Sequence, residues 1–132
     1  MKTLVPFLFV VVGFCFAPAL AQSDKSEREG LRGRYYMVVW AYQGPGNAPR
    51  ESHTFATFYD GNDLADGRVA PATISWLPAT GVVRPLGVER GRNYSLAQTL
   101  AMACRADKHV ESWGPYEITF GLYRWALARI SL

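Results

Sequence analysis

Three hydrophobic regimes follow one another along this chain. Residues 4–16 are almost all apolar, residues 22–33 are polar apart from Leu31, and from Tyr35 onward apolar positions fall into strand and helix periods. The first block follows the basic start Met1-Lys2, is interrupted by Pro6 and Gly13, and is broken by Pro18. Ala19-Leu20-Ala21 then presents small residues where a signal peptidase reads, which predicts a secretory signal over 1–21. As a membrane anchor the segment is interrupted by Pro6 and Pro18 and is barely long enough, since a span needs about 20 apolar residues. Phe14 ahead of Cys15 does not fit a lipid-attachment site. Residues 22–33, charged and without period, predict a flexible leader.

The run Tyr35-Tyr36-Met37-Val38-Val39-Trp40-Ala41-Tyr42 is apolar on both alternating faces, the mark of a strand central in a sheet. Gly44-Pro45-Gly46-Asn47 ends it. Residues 51–59 place His53, Phe55, Thr57 and Tyr59 on one face and Ser52, Thr54, Ala56 and Phe58 on the other. The short connection makes this second strand antiparallel to the first. Residues 60–67 predict a turn-rich loop, 69–77 a third strand ending at Pro78, and 82–86 a short fourth. Ser95 and Gln98 fit a capping box opening a helix to about Ala106, with Leu96, Leu100 and Cys104 spaced four apart. Trp113-Gly114-Pro115-Tyr116 predicts a turn. Thr119 can cap a last helix striped by Phe120, Tyr123, Leu127 and Ile130. That stripe still runs at Leu132, so 34–132 is expected to be one domain incomplete at its C-terminus, with apolar surface left open. The fold class is α+β: a small antiparallel sheet of three to four strands with two C-terminal helices.

Composition narrows the picture. Without residues 1–21 the 132-residue chain keeps 111, the length of a single domain that can hold a core without staples. Lys2 is the only charge in the signal, leaving 13 basic against 11 acidic residues. So small and mixed a balance gives no nucleic-acid footprint, and no membrane partner is expected after signal cleavage. Cys15 leaves with the signal, so Cys104 cannot form an intrachain disulfide.

Candidate chemistry is sparse. His53, between Ser52 and Thr54 on a strand, has the near-neutral pKa and rigid mount of a general base. Its face is expected to line a pocket beneath the last helix. Cys104 with His109 is the other pair a thiol mechanism could use, although its place on the Leu96/Leu100 stripe predicts a buried, inert thiol. Asp60, Asn62, Asp63 and Asp66 miss the calcium-loop pattern, since Leu64 falls at its fifth position and Pro71 at its twelfth. Two histidines and one mature cysteine make no zinc set, and no cofactor or metal is expected. Asn93-Tyr94-Ser95 is a glycosylation sequon, meaningful in a eukaryotic host.

Tyr35-Tyr36, the strand Ser52-His53-Thr54-Phe55-Ala56-Thr57 and the segment Thr73-Ile74-Ser75-Trp76-Leu77-Pro78-Ala79-Thr80 resemble a family of uncharacterised secreted bacterial proteins of the planctomycete type. Asn93-Tyr94-Ser95-Leu96, Trp113-Gly114-Pro115-Tyr116-Glu117 and Leu122-Tyr123 match it in order. The resemblance implies no activity by itself. Longer members continue to a segment bearing a Cys and a His. A strand histidine followed by a helix cysteine is, more distantly, similar to circularly permuted papain-like thiol hydrolases, which would make His53 the base and put the nucleophile beyond Leu132. Cys104 does not occupy that motif.

The expectation is a secreted or periplasmic domain, a non-catalytic or truncated relative of that fold. The alternatives are an active thiol hydrolase using His53 with a cysteine, and a secreted binding module using exposed aromatics of its loops. Substrate, partner and oligomeric state are left open. Signal cleavage is directly testable: intact-mass measurement of the exported protein should place its N-terminus at Gln22, and retention of Met1 would overturn the signal assignment.

Overall fold

The structure, a computed structural model, describes residues 25–44, 52–81 and 88–131. The signal block and the expected short strand at 82–86 lie outside the described residues. In chain order the elements are α1 (Lys25–Glu29), β1 (Tyr35–Gln43), β2 (His53–Asp60), α2 (Gly61–Ala65), β3 (Ala72–Ile74), β4 (Trp76–Pro78), β5 (Gly91–Asn93), α3 (Leu96–Arg105), β6 (His109–Ile118) and α4 (Phe120–Ile130). The fold is α+β. Its main sheet has four strands in the order β3-β2-β1-β6, with every pairing antiparallel, and β4 and β5 form a separate two-stranded sheet.

β1 is central, as its two apolar faces require, and β2 is its antiparallel neighbour, with Trp40 opposite Phe55 and Tyr42 opposite His53. Register partners point to the same side of a sheet. One face therefore carries Trp40, Tyr42, His53, Phe55, Thr57 and Thr73, and the other carries Tyr35, Met37, Val39, Ala56, Phe58 and Ile74. α3 lies on the first face, where the Leu96 amide donates to Thr73 Oγ1 at 3.2 Å. α4 lies on the second, where the Tyr123 ring stacks on Tyr35 with centroids 4.7 Å apart. The two helices open as their caps dictate. Ser95 and Gln98 form the reciprocal box, and the Thr119 side chain accepts from the Leu122 amide.

The expectations at 69–77 and 113–116 need correction. The apolar run at 69–77 is two strands in two sheets, divided at Ser75. Trp113-Gly114-Pro115-Tyr116 is no turn. β6 runs through it, absorbing the Gly-Pro pair as a register shift opposite Met37–Val39, with Gly114 at φ 118°. Glycine is needed there, because a Cβ would stand 2.9 Å from the Met37 carbonyl oxygen.

Within the polar leader residues 25–29 form α1, and the turn-rich 60–67 stretch contains α2. Asp60 caps α2 by accepting from the Asn62 amide at 2.8 Å. Against the start of α2 the 31–34 turn closes tightly: Gly61 N–H donates to the Arg34 carbonyl at 2.8 Å, and Arg32 pairs with Asp66 at 2.8 Å. Gly61 is buried, and a Cβ there would overlap the Leu31 carbonyl and sit 2.7 Å from that of Arg34. Both neighbours are backbone and cannot swing aside. Gly61→Ala is therefore expected to cost about 3 kcal/mol, at the upper end of overpacking penalties. Urea unfolding of the variant beside the parent checks this, and a loss under about 0.5 kcal/mol, the range of harmless surface changes, would sink it.

Candidate functional site

His53 opens β2 at the end of a row of rings. Its imidazole stacks on Phe55 at 5.7 Å and 12°, Phe55 stacks on Trp40 at 6.0 Å and 7°, and Tyr42 tilts against both His53 and Phe55 at 5.4 and 6.4 Å. Such pairs each contribute about 0.5–1.5 kcal/mol beyond their burial. Trp40 is fixed in turn by its Nε1–H, which donates to the buried Thr57 hydroxyl at 2.9 Å. The histidine is half-buried. Burial pushes its pKa below the ordinary 6.5 and pushes the Tyr42 phenol above its ordinary value, so at neutral pH the ring and the phenol are both uncharged.

The partner of His53 is Ser75. Nε2 lies 3.0 Å from Ser75 Oγ, Ser75 Oγ lies 2.9 Å from Thr99 Oγ1, and Thr99 Oγ1 lies 2.9 Å from the Ser95 carbonyl. Ser75 and Thr99 are 1% and 0% exposed, so water does not complete these contacts. A hydroxyl has one proton and a carbonyl has none to give. Thr99 Oγ1 donates to Ser75 Oγ, and the Ser95 carbonyl that it also approaches already takes the Thr99 amide at 2.9 Å. Whether Ser75 donates to the imidazole or accepts from it is set by the histidine tautomer.

Ser75 is held on every side. Its amide donates to Asn93 Oδ1 at 2.7 Å, its carbonyl accepts from the Tyr94 amide at 2.9 Å, and Asn93 Nδ2 donates to the Thr73 carbonyl at 2.8 Å. The Asn93 carboxamide of the sequon is thus engaged at both ends inside the fold. Neither Ser75 nor Thr99 stood out in the sequence as a site residue, and Asn93 stood out as a sequon rather than as a partner of Ser75. A signal was present, since Thr73, Ser75 and Thr99 are hydroxyls within otherwise apolar periods.

Cys104 is not the buried thiol expected; it is exposed on α3. The reason is helical drift. Each four-residue step rotates about 40° past a full turn, so along Leu96, Leu100 and Cys104 the third member has left the buried arc, which centres on Thr99 and Ala103. Since Thr99 faces Ser75, a side chain five positions on points well away from His53. His109, the other expected base, lies on β6, exposed, with Nε2 3.1 Å from Glu111 Oε1. Nor does the His53 face lie beneath the last helix; α4 covers the opposite side of the sheet. The acids at 60–66 are engaged by arginine, Asp63 and Asp66 pairing with Arg68 at 2.6 and 3.0 Å. Among the described residues no three His, Cys, Asp or Glu side chains gather to hold a metal.

Comparisons with protein-family models, curated proteins and solved structures found no match.

Two outcomes are expected of His53. Long-range nitrogen–proton NMR at neutral pH reads the direction of the Ser75 contact: with Thr99 donating to Ser75, the serine proton goes to Nε2 and the Nδ1–H tautomer is expected, whereas a protonated Nε2 would mean that Thr99 donates to the Ser95 carbonyl instead. Because its folded pKa lies below its unfolded value, the unfolded chain takes up the proton first. Stability should be undiminished above about pH 6.5 and should fall as the pH drops from there toward the folded pKa. Thermal melts between pH 7 and 5 should show that loss, and His53→Gln should flatten it. Ser75→Ala, which strands His53 Nε2 and the Thr99 hydroxyl, should cost about 1–3 kcal/mol.

Proposed function

We propose that this is a secreted or periplasmic, non-catalytic domain whose work is binding. One observation carries the first half: the ring nitrogen of His53 that a thiol mechanism would use faces a buried serine at 3.0 Å, while Cys104 stands exposed on another side of α3. The second half rests on where apolar surface is left open. Among the described residues nine large apolar side chains are exposed, and six of them fall between residues 113 and 127: Trp113, Tyr116, Phe120, Leu122, Trp125 and Leu127. An exposed cluster of that kind marks an interaction surface more often than an isolated apolar residue does. It sits on β6 and α4, not on the loops where the sequence placed a binding module's aromatics.

A relation to the planctomycete-type secreted family, and more distantly to permuted thiol hydrolases, belongs to the same proposal. What supports it is the Ser52–Thr57 strand that carries His53 and the Thr73–Thr80 segment, which resemble that family, while Cys104 does not occupy the cysteine motif. The active-hydrolase alternative would need His53 and a cysteine to meet.

Purified secreted protein is expected to hydrolyse neither amide nor ester substrates above background, with His53→Ala and Cys104→Ala indistinguishable from the parent. Cys104 should alkylate rapidly in the native state, as its exposure allows. Turnover that disappears in both variants would replace this reading with the thiol hydrolase.

A further inference from the structure

The open surface has a composition that narrows its partner. α4 lies on the sheet through Tyr123 and Ala126, the latter 0% exposed. Along its two flanks Phe120, Leu122, Trp125 and Leu127 are 54, 40, 53 and 38% exposed, the Phe120 ring also tilting against Tyr35 at 5.2 Å. The helix sequence Phe-Gly-Leu-Tyr-Arg-Trp-Ala-Leu-Ala-Arg-Ile has two cations and no acid. Arg124 lies over the Phe120 ring at 5.8 Å and Arg129 over the Trp125 ring at 5.2 Å. Among the described residues neither guanidinium has a carboxylate partner. Both are therefore held level with exposed rings while their N–H groups remain available to an anion.

Resting on the reading of this domain as a binding module, we propose that α4 docks on an anionic lipid surface, lying in the headgroup region without crossing it. Aromatic and aliphatic side chains mixed on a convex helix suit the boundary between headgroups and acyl chains, and arginines at ring height meet lipid phosphates there. A sugar polymer would be served by flat aromatic rings and would leave Leu122 and Leu127 exposed in water. A polynucleotide would ask for more cations than this helix has. No helix among the described residues is long and apolar enough to span a bilayer, and α4 has 11 residues. Glu111 shares a sheet face with Trp113 and Tyr116 through its pairing with Ala41, and it repels phosphate. The contact is thus centred on α4, with the β6 aromatics at its rim. This departs from the expectation of no membrane partner once the signal is removed.

The test is co-sedimentation of the mature protein with phosphatidylcholine vesicles and with mixed phosphatidylcholine–phosphatidylglycerol vesicles, at low and high salt. Binding to the anionic vesicles alone is expected, weakened by salt. R124Q/R129Q should weaken it roughly twenty-fivefold, two side chains each contributing about a factor of five at an anionic surface. Trp125→Ala should weaken it as well, with circular dichroism of each variant unchanged, because all three positions are exposed. Equal binding to neutral vesicles, absence of binding, or insensitivity to these substitutions would overturn the proposal. So would concentration-dependent dimerisation abolished by Trp125→Ala, which would assign the surface to a second copy of the chain. Failure here leaves the non-catalytic reading intact, since that reading falls only if hydrolytic turnover is found.

Discussion

The structure turns on the satisfaction of one buried serine. Ser75 lies where the chain leaves the four-stranded sheet and enters the two-stranded one, and its amide, carbonyl and hydroxyl are all taken by different parts of the fold. A buried polar group without partners costs more than an ordinary hydrogen bond gains. Each neighbour is therefore required to be where it is: β2 to bring His53, β5 to bring Asn93, α3 to bring Thr99. Hydrophobic burial holds these elements together without direction; the serine sets their relative register. No buried side-chain polar atom among the described residues is left without a partner, so the network is complete.

Completeness has a chemical side. A catalytic histidine must keep a nitrogen available for transfer and a nucleophile within reach. His53 has the mount and the lowered basicity of such a group, yet its Nε2 closes a chain of hydroxyls ending on a helix carbonyl. The two faces of the sheet are divided accordingly. The His53 face is closed by α3 and by its own ring stack. The other face is covered by α4 through Tyr35, and the rest of that helix remains apolar and cationic.

Much of the architecture was legible in the sequence because it rests on local rules. The double-sided apolarity of residues 35–42 identified the central strand, and Ser95 with Gln98 and Thr119 marked two helix starts that the structure keeps. Local rules failed where a tertiary partner decided the outcome. Gly114-Pro115 signals a turn in isolation, but eight residues paired to β1 on either side carry the strand through it. The 25–33 segment has no apolar period, and what it meets is polar: the Asn62 side chain accepts from Gly33 N–H and the Asp66 carboxylate from Arg32. The site was half legible: His53 was visible as a strand histidine, while its partner became visible only once Ser75 was brought beside it from 22 residues away. Cys104 misled because an i, i+4 stripe drifts around a helix, and three members are enough for the drift to matter.

Asn93 carries a consequence for how the protein is made. Oligosaccharide transfer to a sequon acts on a chain entering the secretory lumen, before folding is finished, so burial in the final state gives no protection at that moment. A glycan on Asn93 Nδ2 would occupy the atom that reaches the Thr73 carbonyl and would crowd the Oδ1 that takes the Ser75 amide. The choice of expression host then becomes a structural variable. A cell that glycosylates would compete with the fold at its most connected point, whereas a bacterial export route leaves the asparagine bare and able to close the network.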